Sequence, residues 1–304
     1  MNCYARSMKS VLRILKKYLG PLLTLVALGF LIVTLVRDWP LVKGAIQNAD
    51  WMWIAIGIIG YWYYFFLRGL GWRHTIGLFG HKLPTLTAIT IWNHSEVARF
   101  IPGNVWSLVG RATLAEREGV PPKHTAASLV LEALFLVLGA GLLSVVGLWQ
   151  FFENKALFIG MIILLAIGAG AIIPWAAKKI RAKFFADVPV PKLSEVVIGF
   201  WHYPVAWAAY ALASYAVALA FYPLVPFWLT LSSAITAWLL GYLSLITPMG
   251  LGVREVVFVE LMKNAVTAPI ANVLSITSRL VLTISEVLFL GLLWVVTAVH
   301  KKAR

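Results

Sequence analysis

Two short polar stretches interrupt an otherwise oily sequence, and both carry residues with a use for charge. The first holds His94, Glu96 and Arg99, then Pro102-Gly103-Asn104, then Arg111. The second is Pro248-Met249-Gly250-Leu251-Gly252-Val253-Arg254-Glu255. Glu132, Arg279 and Glu286 stand in apolar runs elsewhere. A guanidinium presents a planar fork of N–H donors that suits an oxyanion. A helix restarting after a Pro-Gly break adds free N–H groups and the positive end of its dipole. Arg99, Arg111, Arg254 and Arg279 therefore describe an anion-binding site, with Pro102, Gly103, Asn104, Gly250 and Gly252 shaping its backbone. His94, Glu96, Glu132, Glu255 and Glu286 are the groups able to carry protons or to pair with the arginines.

Spacing allows a plainer use for each. Glu96 and Arg99 are three apart and share a helix face, Glu132 and Ser128 are four apart, and Arg279 and Glu286 lie two turns along one face. Such pairs also serve as ion pairs that pin helices, and a lone His94 serves equally as a hydrogen-bonded structural residue. No His-Glu-x-x-His and no Cys/His cluster is present, so no metal site is expected. No nucleophile stands at a usable distance from a base, so no catalytic residue, enzyme activity or cofactor is expected. A phosphate-binding Gly-x-x-x-x-Gly-Lys-Ser/Thr is also missing, which argues against ATP-driven work by this chain.

The elements that position these groups follow from composition. The 304 residues are 61% hydrophobic and only 12% charged, against about 25% charged in soluble domains. The chain reads as an all-α, polytopic membrane protein. Its 14 Trp and 10 Tyr suit many interfacial helix ends. The net charge of +14 is explained by positive cytoplasmic loops beside anionic lipid, not by nucleic acid. A single cysteine, Cys3, excludes an intramolecular disulfide. The basic leader through Lys17, ahead of the apolar run 19–36, reads as an uncleaved signal anchor with its N-terminus inside.

Six spans are expected, at 19–36, 51–70, 125–149, 156–177, 195–220 and 269–299. The cluster Lys178, Lys179, Arg181 and Lys183 and the tail His300-Lys301-Lys302-Ala303-Arg304 fall inside by charge. Parity then requires residues 84–116 to begin and end inside, and 228–263 to begin and end outside. Each is broken near its middle by Pro and Gly, so each is expected to be a re-entrant hairpin of half-helices. The result is two inverted repeats, 1–155 and 156–304, with both termini inside. Glu132-Ala-Leu-Phe-Leu and Glu286-Val-Leu-Phe-Leu echo one another between the halves. Inverted repeats whose broken helices meet at the midplane are a recurring transporter plan.

On Arg99-Phe-Ile-Pro-Gly-Asn-Val-Trp106, on Glu132 and on Pro248-Met-Gly-Leu-Gly-Val-Arg-Glu255, the chain resembles the integral-membrane flippase region of bacterial lysylphosphatidylglycerol synthases and similar stand-alone membrane proteins. The resemblance covers roughly residues 15–300 and implies movement of lipids or polyprenyl-phosphate-linked sugars between leaflets. What it implies for the Pro-Gly and Gly-x-Gly-x-Arg-Glu elements falls on Pro102, Gly103, Gly250, Gly252, Arg254 and Glu255. The soluble aminoacyl-transferase domain that makes lysyl-lipid has no counterpart here, so synthase activity is not expected.

The leading expectation is thus a flippase for an anionic amphiphile in the cell inner membrane, with membrane lipid or a lipid-linked sugar as its partner. Alternatives on the same scaffold are a secondary transporter of a small organic anion, a membrane-embedded transferase on a lipid-linked substrate, and a non-transporting accessory protein. A homo-oligomer is compatible with the sequence, which leaves headgroup, direction and energy source open.

Overall fold

A computed structural model of the chain describes residues 36, 39–100, 106–149, 153–160, 162–163, 186–189, 191–244, 250 and 252–302. The expected leader, the span at 19–36, the Lys178–Lys183 cluster and most of the span at 156–177 lie outside the described residues, as do Pro102, Gly103, Asn104, Pro248 and Met249. Among the described residues all regular structure is helical. A short helix α1 (Trp39–Gln47) comes first. Then come α2 (Trp51–Gly77), α3 (Thr85–Glu96) with a 3-10 turn (Val97–Phe100), α4 (Trp106–Glu116) and α5 (Pro122–Leu148). The second half holds α6 (Leu193–Phe200), α7 (His202–Phe221), α8 (Phe227–Leu243), α9 (Val253–Met262) and α10 (Ala268–Lys302).

Among the described residues four stretches are long and apolar enough to cross a membrane: Trp51–Gly77, Pro122–Val145, Leu193–Phe221 and Ala268–His300. Helices α3, α4 and α9, at 12, 11 and 10 residues, are not. At 1.5 Å per residue they reach roughly 15–18 Å, about half of a hydrocarbon core. Their starts are set by local chemistry. Asp50 caps α2 by accepting a hydrogen bond from Met52 N, while Pro84, Pro121 and Pro226 stand at the N-caps of α3, α5 and α8.

The centre of the bundle is the contact of α2 with α7. It is close because the facing residues are small. A Cβ on Gly57 would lie 2.5 Å from Val217 Cγ2, and one on Gly60 would lie 2.9 Å from Ala213 Cβ. Association of this kind rests on dispersion between closely approaching backbones, since lipid offers no hydrophobic drive. Around this axis the two broken hairpins pack alike. Helix α3 lies on α2 and α4 on α5; in the second half α8 lies on α7 and α9 on α10.

One element runs past its expected end. The span 51–70 continues as helix to Gly77, which draws Arg68 into the interior at 5% exposure. Apolar Leu70 and Trp72, alternating with small Gly69 and Gly71, carry the helix on, and the buried Glu132 carboxylate meets the guanidinium.

Candidate functional site

Among the described residues the buried and half-buried charges of the bundle form two clusters. The larger is a chain of three arginines and three glutamates, built on α2, the first hairpin, α5 and α10. Arg68 donates to Glu132 at 3.2 Å, and Arg111 donates from Nη1 to the same carboxylate. Arg111 Nη2 reaches Glu96 at 2.5 Å, Arg99 Nη1 reaches Glu96 at 3.1 Å, and Arg99 Nη2 reaches Glu286. Trp92 Nε1 adds a hydrogen bond to Glu132 at 2.8 Å, and Arg111 Nε donates to Ser95 Oγ at 2.9 Å. Arg68 and Arg111 also lie over the Trp92 ring, at 4.7 and 5.3 Å from its centroid.

This chain of pairs is neutral and densely hydrogen-bonded, the condition under which buried charge is tolerable. Arg111 is 2% exposed and Glu132 3%. The two glutamates that echo one another in sequence, Glu132 and Glu286, both grip the first hairpin. Glu132 holds it through Arg111 on α4, and Glu286 through Arg99 in the 3-10 turn.

The smaller cluster lies at the second hairpin. Gly252 takes φ +84°, a backbone that favours glycine, and α9 begins at the next residue. Glu255, in the first turn of α9, accepts from Gly252 N at 2.7 Å and from Arg279 of α10. Both carboxylate oxygens are therefore engaged. Arg254 points the other way, with its aliphatic stem over Gly241 of α8 and its guanidinium 5.0 Å from the centre of the Trp238 ring. Gly241 is needed there, because a Cβ would lie 2.5 Å from Arg254 Cγ. Gly250, at φ +68°, brings the incoming backbone onto the same glycine, where its own Cβ would lie 2.6 Å from Gly241 Cα.

Among the described residues Arg254 has no carboxylate within ion-pair distance. Its Nε is buried without a hydrogen-bond partner. It lines a cleft of about 50 Å³ with Arg279, Glu255, Tyr210, Trp238, Ser275 and Ser278 around it. A half-buried cation with no carboxylate beside it keeps part of its desolvation cost, and the Trp238 face offsets some of that. The cleft therefore favours an anion. Tyr210 in its wall packs 5.3 Å from the ring of Tyr64, whose hydroxyl accepts from Arg68 at 3.0 Å. One layer of tyrosine thus separates the two clusters.

The expected site residues divide accordingly. Glu96, Arg99, Arg111, Glu132 and Glu286 come together in the neutral chain; Gly250, Gly252, Arg254, Glu255 and Arg279 come together at the cleft. Arg279 and Glu286, two turns apart on one helix, do not pair with each other but with separate hairpins. His94 stands outside both clusters, exposed on α3, with Nδ1 2.9 Å from Thr90 O. Pro102, Gly103 and Asn104 lie outside the described residues. The sequence reading missed Arg68, Trp92, Trp238, Gly241 and Tyr210. Only Arg68 carried a signal, as a charge inside a helix that stays apolar beyond it. Among the described residues no group of three or more His, Cys, Asp or Glu side chains is placed to hold a metal.

The helices and the buried ionic clusters define a multi-pass membrane protein. The sequence pattern of the family described as Lysylphosphatidylglycerol synthase TM region matches residues 19–289, and the chain belongs to that family. No curated protein matches the chain. Membership ties the protein to lipid synthesis or translocation.

Proposed function

We propose that the protein is a lipid translocator, a flippase of the cell inner membrane that carries an anionic amphiphile between leaflets. The headgroup binds in the Arg254 cleft while the acyl or prenyl tail stays in lipid, and no covalent step takes place. The observation that carries this reading is Arg254 itself, a half-buried cation lacking a carboxylate partner among the described residues, in a cleft with hydroxyls on its wall. The like packing of the two hairpins on α2 and α5, and on α7 and α10, supports their being inverted repeats that enter from opposite faces. In this mechanism the neutral chain from Arg68 to Glu286 keeps the first hairpin in place, and the second hairpin presents its arginine to the headgroup.

The test is reconstitution into liposomes with labelled phospholipid and labelled polyprenyl-phosphate sugar. Faster movement of either probe than with Arg254→Ala protein supports the proposal. Equal rates for both probes with the two proteins reject it.

A further inference from the structure

Among the described residues the two clusters carry unequal numbers of positive and negative charges. Five arginines are held in the two clusters: Arg68, Arg99, Arg111, Arg254 and Arg279. They face four carboxylates: Glu96, Glu132, Glu255 and Glu286. The four acids are committed. Glu132 takes Arg68 and Arg111, Glu96 takes Arg99 and Arg111, Glu286 takes Arg99, and Glu255 takes Arg279 with the Gly252 N–H. With every arginine charged and every carboxylate ionised, five against four leaves one positive charge. It sits on Arg254, inside the cleft.

We infer that the cleft takes a headgroup carrying one negative charge, a phosphodiester, and that the loaded interior is electroneutral. This rests on the translocation reading and narrows it. A phosphodiester monoanion cancels the Arg254 charge and leaves nothing over. A diphosphate brings two charges and leaves the cleft negative, so an uncompensated charge returns with the opposite sign. A zwitterionic phosphoethanolamine brings its own ammonium and leaves the surplus in place. Guanidinium N–H groups donate to the phosphodiester oxygens, and Ser275 and Ser278 line the same cleft. Phosphatidylglycerol and a polyprenyl-phosphate-linked sugar share this chemistry, and the assay separates them.

Proteoliposomes of the full chain are loaded in parallel with four fluorescent probes: phosphatidylglycerol, phosphatidylethanolamine, a short-chain polyprenyl-phosphate sugar and its diphosphate counterpart. At least one monoanionic probe is expected to move roughly tenfold faster than both the zwitterion and the diphosphate, a preference worth about 1.4 kcal/mol. Whichever monoanion responds identifies the source. Arg254→Met keeps the stem over Gly241, removes the charge and abolishes the preference; Arg254→Lys retains part of it. Equal movement of the diphosphate or the zwitterion overturns the inference while leaving translocation standing. If no probe moves, translocation itself fails, and binding decides the charge rule alone. In detergent, short-chain phosphatidylglycerol is expected to raise the melting midpoint of the unsubstituted protein but not of Arg254→Met. The phosphoethanolamine analogue is expected to raise neither. Equal stabilisation by the two analogues overturns the inference there as well. Arg254→Met is further expected to melt no lower than the parent without lipid, since the charge it removes has no carboxylate partner and the methionine chain still packs on Gly241 and Trp238; a markedly lower midpoint counts against the surplus charge.

Discussion

Replacing Glu132 by Gln is the sharpest test of the neutral chain. Its carboxylate accepts from Trp92 Nε1, Arg68 and Arg111, and all three side chains are buried. Gln keeps one acceptor oxygen and the volume, yet removes the charge and turns an NH₂ group toward one of the two arginines. Arg68 then has no carboxylate, and Arg111 is left with Glu96 alone. Breaking a buried ion pair from one side costs about 3–5 kcal/mol. At about 2–4 °C per kcal/mol the melting midpoint in detergent falls by roughly 6–20 °C. Glu260→Gln supplies the comparison, because its pair with Lys263 is 65% and 48% exposed and is worth about 0–1 kcal/mol. Fluorescence-detected size exclusion after heating reads both variants from small samples. A Glu132→Gln protein that melts with the Glu260→Gln protein would refute the claim that the chain holds the first hairpin in place.

Three further outcomes follow from the geometry. Gly250→Ala places a Cβ against the Gly241 backbone at a positive φ, so it is expected to lose about 1–3 kcal/mol of stability, read as a lower melting midpoint. Gly241→Ala displaces the Arg254 stem and is expected to weaken anion-dependent stabilisation more than it lowers the midpoint, which melting curves with and without short-chain phosphatidylglycerol separate. At the loop end of α2, His81 Nε2 lies 2.8 Å from His124 Nδ1. Burial, and then the facing His124, hold the His81 pKa below its ordinary value. The folded state therefore resists protonation there. Its contribution is complete above about pH 6.5 and is lost as the pH falls from there through the lowered value. Melting midpoints between pH 7.5 and 5.5 should fall less in His81→Phe protein than in the parent, if about one proton is at stake.

The sequence alone determined the class of protein. A low charge fraction and long apolar runs admit only helices that satisfy their own backbone in lipid, and Pro and Gly mark where helices must stop. Glu96 with Arg99 was legible because a spacing of three on a helix is a contact. Arg254 and Glu255 were legible as a pair of charges just after a glycine break, but not their division of labour. Adjacent residues on a helix point about 100° apart, so one faces Arg279 on α10 and the other Trp238 on α8. Only the packing of helices distant in sequence decided that Glu132 serves Arg68 and Arg111, that Glu286 leaves Arg279 for Arg99, and that Arg254 is left without a carboxylate. Pairing between buried charges is a property of three-dimensional neighbours, and no local spacing encodes it.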